Sequence, residues 1–265
     1  MPTGLGDEQL WLSATNDNTG TSTAFNDLSG EGNNGTPNGG MLVVTDTAEG
    51  GSYAYDFDGV DDYIDCGNVL NVEYNDAASF SFWINVDSTA SSLDGVMGKM
   101  LSSGTIRGYL VSYRGASGNR NGISFVLRND NTSGKKIEVL ARNTVSANIW
   151  YNFVVTYDGS GLASGVNIYR NGINKTLLLV GDNLSAATTV NSAPYNVGAR
   201  NSSGVYFDGQ LDDLRQYNRV LTQAEITHLA TSRGIEGGPG GPPTTGFYNP
   251  FINKRFNNDY TRRIR

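Results

Sequence analysis

Phe57-Asp58-Gly59-Val60-Asp61-Asp62-Tyr63 and Phe207-Asp208-Gly209-Gln210-Leu211-Asp212-Asp213-Leu214 are two copies of one phrase, far apart in the chain. Each ends an aromatic stretch on an Asp-Gly step and continues into an acidic pair. Asp tolerates tight turns and Gly supplies the positive φ they need, so each phrase reads as a strand running into a turn. The second copy continues through Arg215-Gln216-Tyr217-Asn218-Arg219 to Leu221-Thr222-Gln223-Ala224-Glu225-Ile226, where the pattern turns helical.

Working outward, apolar residues recur at every second position. Tyr53, Tyr55 and Phe57 alternate with smaller or polar residues, as do Phe80, Phe82, Ile84 and Val86. The same holds for Tyr109, Val111 and Tyr113, for Ile123, Phe125 and Leu127, and for Ile137, Val139 and Ala141. Tyr151, Phe153, Val155 and Tyr157 close the series. Period two is the mark of a half-buried strand. No helical segment separates consecutive runs, so parallel βαβ units are excluded and an antiparallel sandwich is expected. Asn171-Gly172, between Val166–Arg170 and the Leu177–Val180 run, predicts a type I′ hairpin.

The 265 residues suffice for one large all-β domain. The 34 glycines are scattered without period, which excludes collagen and implies many tight turns. Cys66 is alone, so no internal disulfide exists, and it reads as a small buried hydrophobe. The single His228 excludes a His-rich metal site. No apolar run reaches the length of a membrane helix, so no membrane partner is expected. The start, Met1-Pro2-Thr3-Gly4, lacks a basic-then-apolar leader. It reads as a chain not exported by the usual route, or as one whose signal was removed.

One helix is legible. Thr222 as N-cap and Glu225 three residues on make a capping box, with Leu221 stapling Ile226. Ile226, Leu229 and Ala230 form a narrow apolar face, and Gly234 is the expected stop. So short a helix must dock on the sandwich.

Composition then divides the chain into a domain over residues 1–234, a Gly/Pro-rich linker over 235–246 and a tail over 247–265. The tail carries five basic residues against Asp259, a net +4. The rest carries 14 basic and 25 acidic residues, a net −11, for −7 overall. Phe247, Tyr248, Phe251, Lys254, Arg255, Phe256, Tyr260, Arg262, Arg263 and Arg265 read as an anchor in which rings fill pockets and cations pair with carboxylates of a protein partner. An acidic body repels phosphates, so nucleic acid is not the expected partner.

Residues 5–234 resemble the LamG-like jelly-roll family of the concanavalin A-like lectin/glucanase superfamily. The resemblance is carried by Leu10-Trp11-Leu12, Asp27-Leu28-Ser29-Gly30-Glu31-Gly32-Asn33, the two Phe-Asp-Gly phrases, Phe80-Ser81-Phe82-Trp83-Ile84, Trp150–Gly159, Ile168–Gly172 and Val197-Gly198-Ala199-Arg200. It implies two packed antiparallel sheets in a jelly-roll sandwich, with the short helix and extended tail appended. It also implies a non-catalytic binding or adhesive role. Related folds often clip an N-terminal loop to a late strand with a structural calcium ion. That points to Asp27, Asn33 and Asp212, the alternative being an Asx-turn at Asp27 and a loop hydrogen bond at Asp212.

Some relatives of this fold cleave glucans with a strand presenting Glu-x-Asp-x-x-Glu. Glycoside hydrolysis needs two facing carboxylates. None of the seven glutamates lies within six residues of another, so no enzyme activity is expected. Asp58, Asp61 and Asp62 read as solvated turn residues, with a ligand-facing calcium site as the alternative. The three tryptophans read as structural, and Tyr113 as a candidate sugar platform.

The expected function is a non-enzymatic structural or adhesive protein. The preferred setting is a phage virion surface, as a capsid decoration or tail-fibre protein in many copies, anchored through its tail to a capsid or tail protein and touching glycans by avidity. The alternative is a bacterial surface or secreted carbohydrate-binding module.

Overall fold

The structure, a computed structural model, describes residues 4–17, 24–46, 52–89, 93–101, 103–115, 120–130, 134–201 and 205–231. The linker and tail, Gly234 included, lie outside the described residues, and with them every residue of the expected anchor.

In chain order the strands are β1 (Glu8–Leu12), β2 (Thr36–Asn38), β3 (Leu42–Asp46), β4 (Ser52–Asp58), β5 (Tyr63–Asp65) and β6 (Ala78–Val86). Then come β7 (Asp94–Met100), β8 (Gly108–Arg114), β9 (Gly122–Asp130), β10 (Lys135–Ala141) and β11 (Tyr151–Tyr157). The series ends with β12 (Val166–Arg170), β13 (Ile173–Asn174), β14 (Leu178–Asp182), β15 (Asn196–Val197) and β16 (Asp208–Tyr217), followed by α1 (Gln223–Leu229). They build two antiparallel sheets, a jelly-roll sandwich. The first runs β13-β12-β11-β6-β16-β4-β3, with β1 also on β16; the second runs β14-β10-β9-β8-β7-β15-β5-β2.

Alternation places the core. Phe80, Phe82, Ile84 and Val86 of β6 face Tyr109, Val111, Phe125, Leu127 and Val139 of the second sheet, all at most 2% exposed. Rings meet across the gap, Phe80 with Phe125 at 5.8 Å and with Tyr109 at 5.3 Å between centroids. Each such side chain contributes about 1.5–3 kcal/mol by leaving water.

The two copies of the opening phrase lie side by side. Asp58 pairs with Asp208 and Phe57 with Gly209 across β4 and β16. Their glycines serve different ends. Gly59 takes φ +74° to turn the chain after β4. Gly209 lets β16 approach β6, since a Cβ there would sit 2.4 Å from the Asn85 carbonyl oxygen.

Helix α1 forms as expected. Thr222 accepts from the Glu225 N–H and the Glu225 side chain accepts from Thr222 N, so the capping box is complete. Ile226 and Leu229 pack with Leu221 on Val154 and Tyr217, on the outer face of the first sheet. The hairpin differs from expectation. Asn171 (φ +50°) and Gly172 (φ +77°) do form a tight turn, but the returning strand is only Ile173–Asn174. The Leu177–Val180 run leads instead into β14, which pairs with β10 as the edge strand of the other sheet and leaves Leu178, Leu179 and Val180 exposed.

Candidate functional site

Three regions carry polar chemistry. The first fastens the N-terminus. Strand β16 changes partner midway, from β4 to β1, and the register shifts between Asp212 and Arg215. Asp213 sits in the shift at φ +49°. Its Oδ1 accepts from Trp11 Nε1 at 2.7 Å and from Arg215 Nε at 2.9 Å. The Arg215 guanidinium stacks 3.9 Å from the Trp11 ring centroid and reaches Glu8 at 3.4 Å. Burial works against this guanidinium, but Asp213, Tyr217 and Glu8 outweigh it and keep its pKa above the ordinary value.

Asp27 ties the following loop to the same strand. Its Oδ1 accepts from Trp11 N (2.9 Å) and Ser29 N (3.0 Å), and its Oδ2 from Ser29 Oγ (2.7 Å) and Asn33 N (2.9 Å). Asn33 Nδ2 donates to Gln9 O at 2.8 Å. Asp212, fully buried, accepts from Ala14 N at 3.1 Å and Asp213 N at 2.7 Å. The structure thus joins Asp27 to Asn33, and places Asp212 on β16 against the residues that follow β1. Every lone pair of Asp27 already has a donor. A calcium ion bound by Asp27 would have to displace some of these bonds, because calcium takes carboxylate oxygens directly.

The second region is the turn between β4 and β5. One carboxylate oxygen from each of Asp58, Asp61 and Asp62 lies within 4.8 Å of the other two, an acidic group that could hold a metal ion. Asp58 Oδ1 accepts from Val60 N (2.8 Å) and Asp61 N (3.3 Å), while Asp62 Oδ2 accepts from Asp58 N (3.0 Å). Asp58 and Asp61 are exposed, but Asp62 is buried, against the expectation of a solvated turn. The chain has left the strand here, so the adjacent acids are not forced to opposite faces. Burial raises the Asp62 pKa, the hydrogen bond from Asp58 N opposes this, and the charges of Asp58, Asp61 and Asp56 add to it.

The third region is a groove of about 350 Å³ where the β1–β16 pair meets the loop before β6. Gln9, Asn71, Asp76 and Asn218 offer polar groups and Leu70 apolar surface, while the buried Val72, Gln216 and Tyr217 form the floor. Gln216 is anchored from behind by Tyr109, whose hydroxyl donates to Gln216 Oε1 at 3.1 Å.

A family model described as the concanavalin A-like lectin/glucanases superfamily matches residues 58–227, more than half of the chain. The chain belongs to this superfamily. A search of curated proteins by sequence found no match. Among solved structures it is similar to the binding domain of Paraclostridial Mosquitocidal Protein 1, at 19% identity and TM-score 0.59, over 85% of this chain and 52% of that one. It is also similar to the botulinum neurotoxin serotype G binding domain, at 18% identity and TM-score 0.59, over 84% of this chain and 50% of that one. A third is domain 4 of AbnA, a GH43 extracellular arabinanase from Geobacillus stearothermophilus, in complex with arabinotriose. It is 20% identical at TM-score 0.57, over 84% of this chain and 99% of that domain. The superfamily member described here spans about half of the toxin binding domains and matches the arabinanase domain nearly end to end. At these identities the likeness establishes the fold.

Other expected residues fall into place within the superfamily fold. Tyr113 is no sugar platform: it is fully buried in the core, its hydroxyl donating to Asn121 Oδ1 at 3.0 Å. Its ring fills the sandwich because it shares a face with Tyr109 and Val111. Trp11 is structural, Trp150 is buried, and Trp83 is half-buried on the outer face of β6. Cys66 is buried as expected, and burial drives its thiol pKa up. His228 lies exposed in the last turn of α1. No helix among the described residues is long and apolar enough to cross a membrane.

Sequence reasoning missed two features. One is the Trp11–Asp213–Arg215–Glu8 cluster, signalled by an acid and an arginine two apart on one strand, hence on one face. The other is the groove. Its lining comes from segments distant in sequence, and no local pattern announces it.

Proposed function

We propose that this chain is a non-enzymatic, lectin-like adhesive module that holds a saccharide in the groove lined by Gln9, Leu70, Asn71, Gln216, Tyr217 and Asn218. The groove carries the proposal. Exposed amide side chains of Asn71 and Asn218 donate to and accept from sugar hydroxyls, while the partly exposed Leu70 offers apolar surface to a sugar ring, the mixture a small polar ligand requires. The arabinanase domain in complex with arabinotriose, which the chain spans almost completely, supports the same reading. So do the toxin binding domains.

Hydrolysis is disfavoured by where the glutamates stand. Glu8 serves Arg215, Glu138 serves Arg114 and Lys136, Glu73 serves Thr188 and Thr189, and Glu225 serves Arg219. Each balances a cation or closes a loop.

A shallow groove binds weakly, and many copies on one particle multiply weak contacts. Display on a phage virion, as a capsid decoration or tail-fibre protein fastened by residues 247–265, fits that need. A bacterial surface or secreted module is the alternative setting. A structural calcium at Asp27, Asn33 and Asp212 would brace the N-terminal strand only in exchange for hydrogen bonds that Asp27 now makes to Trp11, Ser29 and Asn33.

The test is a glycan array probed with the full chain and with an Asn71→Ala/Asn218→Ala variant. Both asparagines are exposed, so the fold should survive. Glycan signal lost in the variant supports the groove; equal signal, or none with the unmodified chain, removes it. Deleting residues 235–265 should leave the sandwich soluble and abolish its incorporation into the assembly. Unchanged placement would favour the secreted or cell-surface setting.

A further inference from the structure

We propose that Arg114, Arg128 and Arg200 form a site for a sugar carboxylate on the outer face of the second sheet, with the Arg200 guanidinium as its principal donor. Alternation puts Ser112 and Arg114 of β8 on that face, together with Ser124 and Arg128 of β9, because Tyr113, Phe125 and Leu127 between them face the core. Arg200 follows β15 and is laid over the same face. Gly95 of β7 stands opposite Ser112 of β8, and a Cβ on Gly95 would meet Arg200 N at 2.4 Å. All three arginines are partly exposed, so a ligand can reach them from solvent.

The cations are unequally served. Arg114 Nε donates to Ser124 Oγ at 3.1 Å, and its terminal nitrogen reaches Glu138 Oε1 at 2.7 Å. Arg200 has a buried Nε with no hydrogen-bond partner among the described residues. Burial lowers the Arg200 pKa and the charge of Arg128 lowers it further, with no acid among the described residues opposing them. Burial also lowers the Arg114 pKa; Glu138 opposes this, and the charges of Arg120, Arg200 and Arg128 add to it. Arg215 and Arg219, by contrast, are each paired with two carboxylates. Gathered like charges and a buried N–H without an acceptor both cost free energy, and one anionic oxygen pair relieves both.

Glu138 shows which anion this face accepts. Its Oε1 takes Arg114 of β8 and its Oε2 takes Lys136 of β10 at 2.5 Å, so one planar carboxylate bridges two cations across β9. A second carboxylate between Arg200 and Arg128 repeats that arrangement with two guanidiniums, whose planar forks match its two oxygens. That an oxyanion binds here follows from this face alone. That a sugar carries it rests on the saccharide reading proposed above, although the groove lies elsewhere, beside β1 and β16 of the first sheet.

The test titrates trigalacturonate into the full chain, followed by calorimetry and by NMR of the arginine Nε–H groups. The Arg200 signal is identified by its loss in Arg200→Gln. It should shift saturably with trigalacturonate and stay still with the neutral methyl ester. Arg200→Gln should weaken binding at least about ten-fold, since a charge-assisted hydrogen bond is lost, while the urea midpoint stays unchanged or rises. Asn71→Ala/Asn218→Ala should bind trigalacturonate as the unmodified chain does, so the groove can fail on the glycan array while this site stands. No Arg200 shift up to about 10 mM ligand overturns the proposal, as does an equal shift with the methyl ester. Binding that survives Arg200→Gln, or that the asparagine variant abolishes, overturns it by placing the ligand elsewhere. Equal affinity for triglutamate overturns the assignment to a sugar.

Discussion

Trp11 and Asp213 are 202 positions apart in sequence and joined by a 2.7 Å hydrogen bond that closes the sandwich. The oxygen that takes the indole N–H also takes Arg215 Nε, and the guanidinium carbon lies over the indole, 3.9 Å from the ring centroid. Neither partner is optional. Without Asp213, the N–H and much of the cation's charge are buried unpaired.

Asp213→Ala should therefore cost about 3–5 kcal/mol, the usual loss when one side of a buried ion pair is removed. Trp11→Phe keeps a ring under the cation and deletes only the N–H donor, so it should cost less than Asp213→Ala. Urea unfolding followed by tryptophan-independent circular dichroism measures both. Equal losses would show that the hydrogen bond, rather than the charge, holds β1 in place.

The sandwich was legible in the sequence because period-two runs such as Phe80–Val86 and Tyr151–Tyr157 each specify a buried face. The capping box at Thr222 and Glu225 was legible because it is local. What failed was non-local. The Leu177–Val180 run looks like a hairpin partner until β10 competes for it. Tyr113 looks displayable until its face of β8 is known to point inward. Asp62 resembles its exposed neighbours Asp58 and Asp61 in every local respect. Only the packing around the turn buries it.

Lys99 offers a second test. It is fully buried, and its ammonium donates to Asn68 Oδ1. Burial lowers its pKa to about 8 from 10.5. Between those values the unfolded chain holds the proton and the folded chain releases it. Stability contributed by this group therefore rises as pH goes from 8 toward 10.5, and is lacking below 8. Lys99→Met should stabilise the protein at pH 7 by about 1–2 kcal/mol and flatten its stability between pH 8 and 10. Urea midpoints at pH 7 and 9.5 check this; a variant less stable than the unmodified chain at pH 7 would refute it.

Gly209 is needed for its missing side chain. At φ +133°, a Cβ would meet Asn85 O at 2.4 Å and the Val86 Cα at 3.0 Å, both backbone of the neighbouring strand. Gly209→Ala should force β16 away from β6 and cost more than about 1 kcal/mol, the general penalty of an incompatible φ. Gly67, also at positive φ (+78°), has nothing within 4 Å of its Cβ position and serves as control. Gly67→Ala should lose only the conformational part. Thermal unfolding of the two variants separates crowding from φ strain, and equal shifts would remove the crowding account.

Arg219 links the start of the chain to α1. It pairs with Asp7 and with Glu225, the latter at 2.8 Å, while Glu225 also closes the capping box. The hydrogen bond from Arg219 is the largest influence on Glu225 and lowers its pKa from 4.5 to about 2. A carboxyl whose pKa falls on folding stabilises the protein above its unfolded value of 4.5, and loses that contribution as pH drops through about 2. Arg219→Gln should move the Glu225 titration back toward 4.5, measured by the NMR shift of its carboxyl carbon, and should begin fraying α1 at a higher pH. Thr222→Ala removes the other half of the cap and should cost about 1 kcal/mol at neutral pH. Glu225 shift changes confined to Thr222→Ala would mean that the cap, and not the arginine, holds the carboxylate ionised.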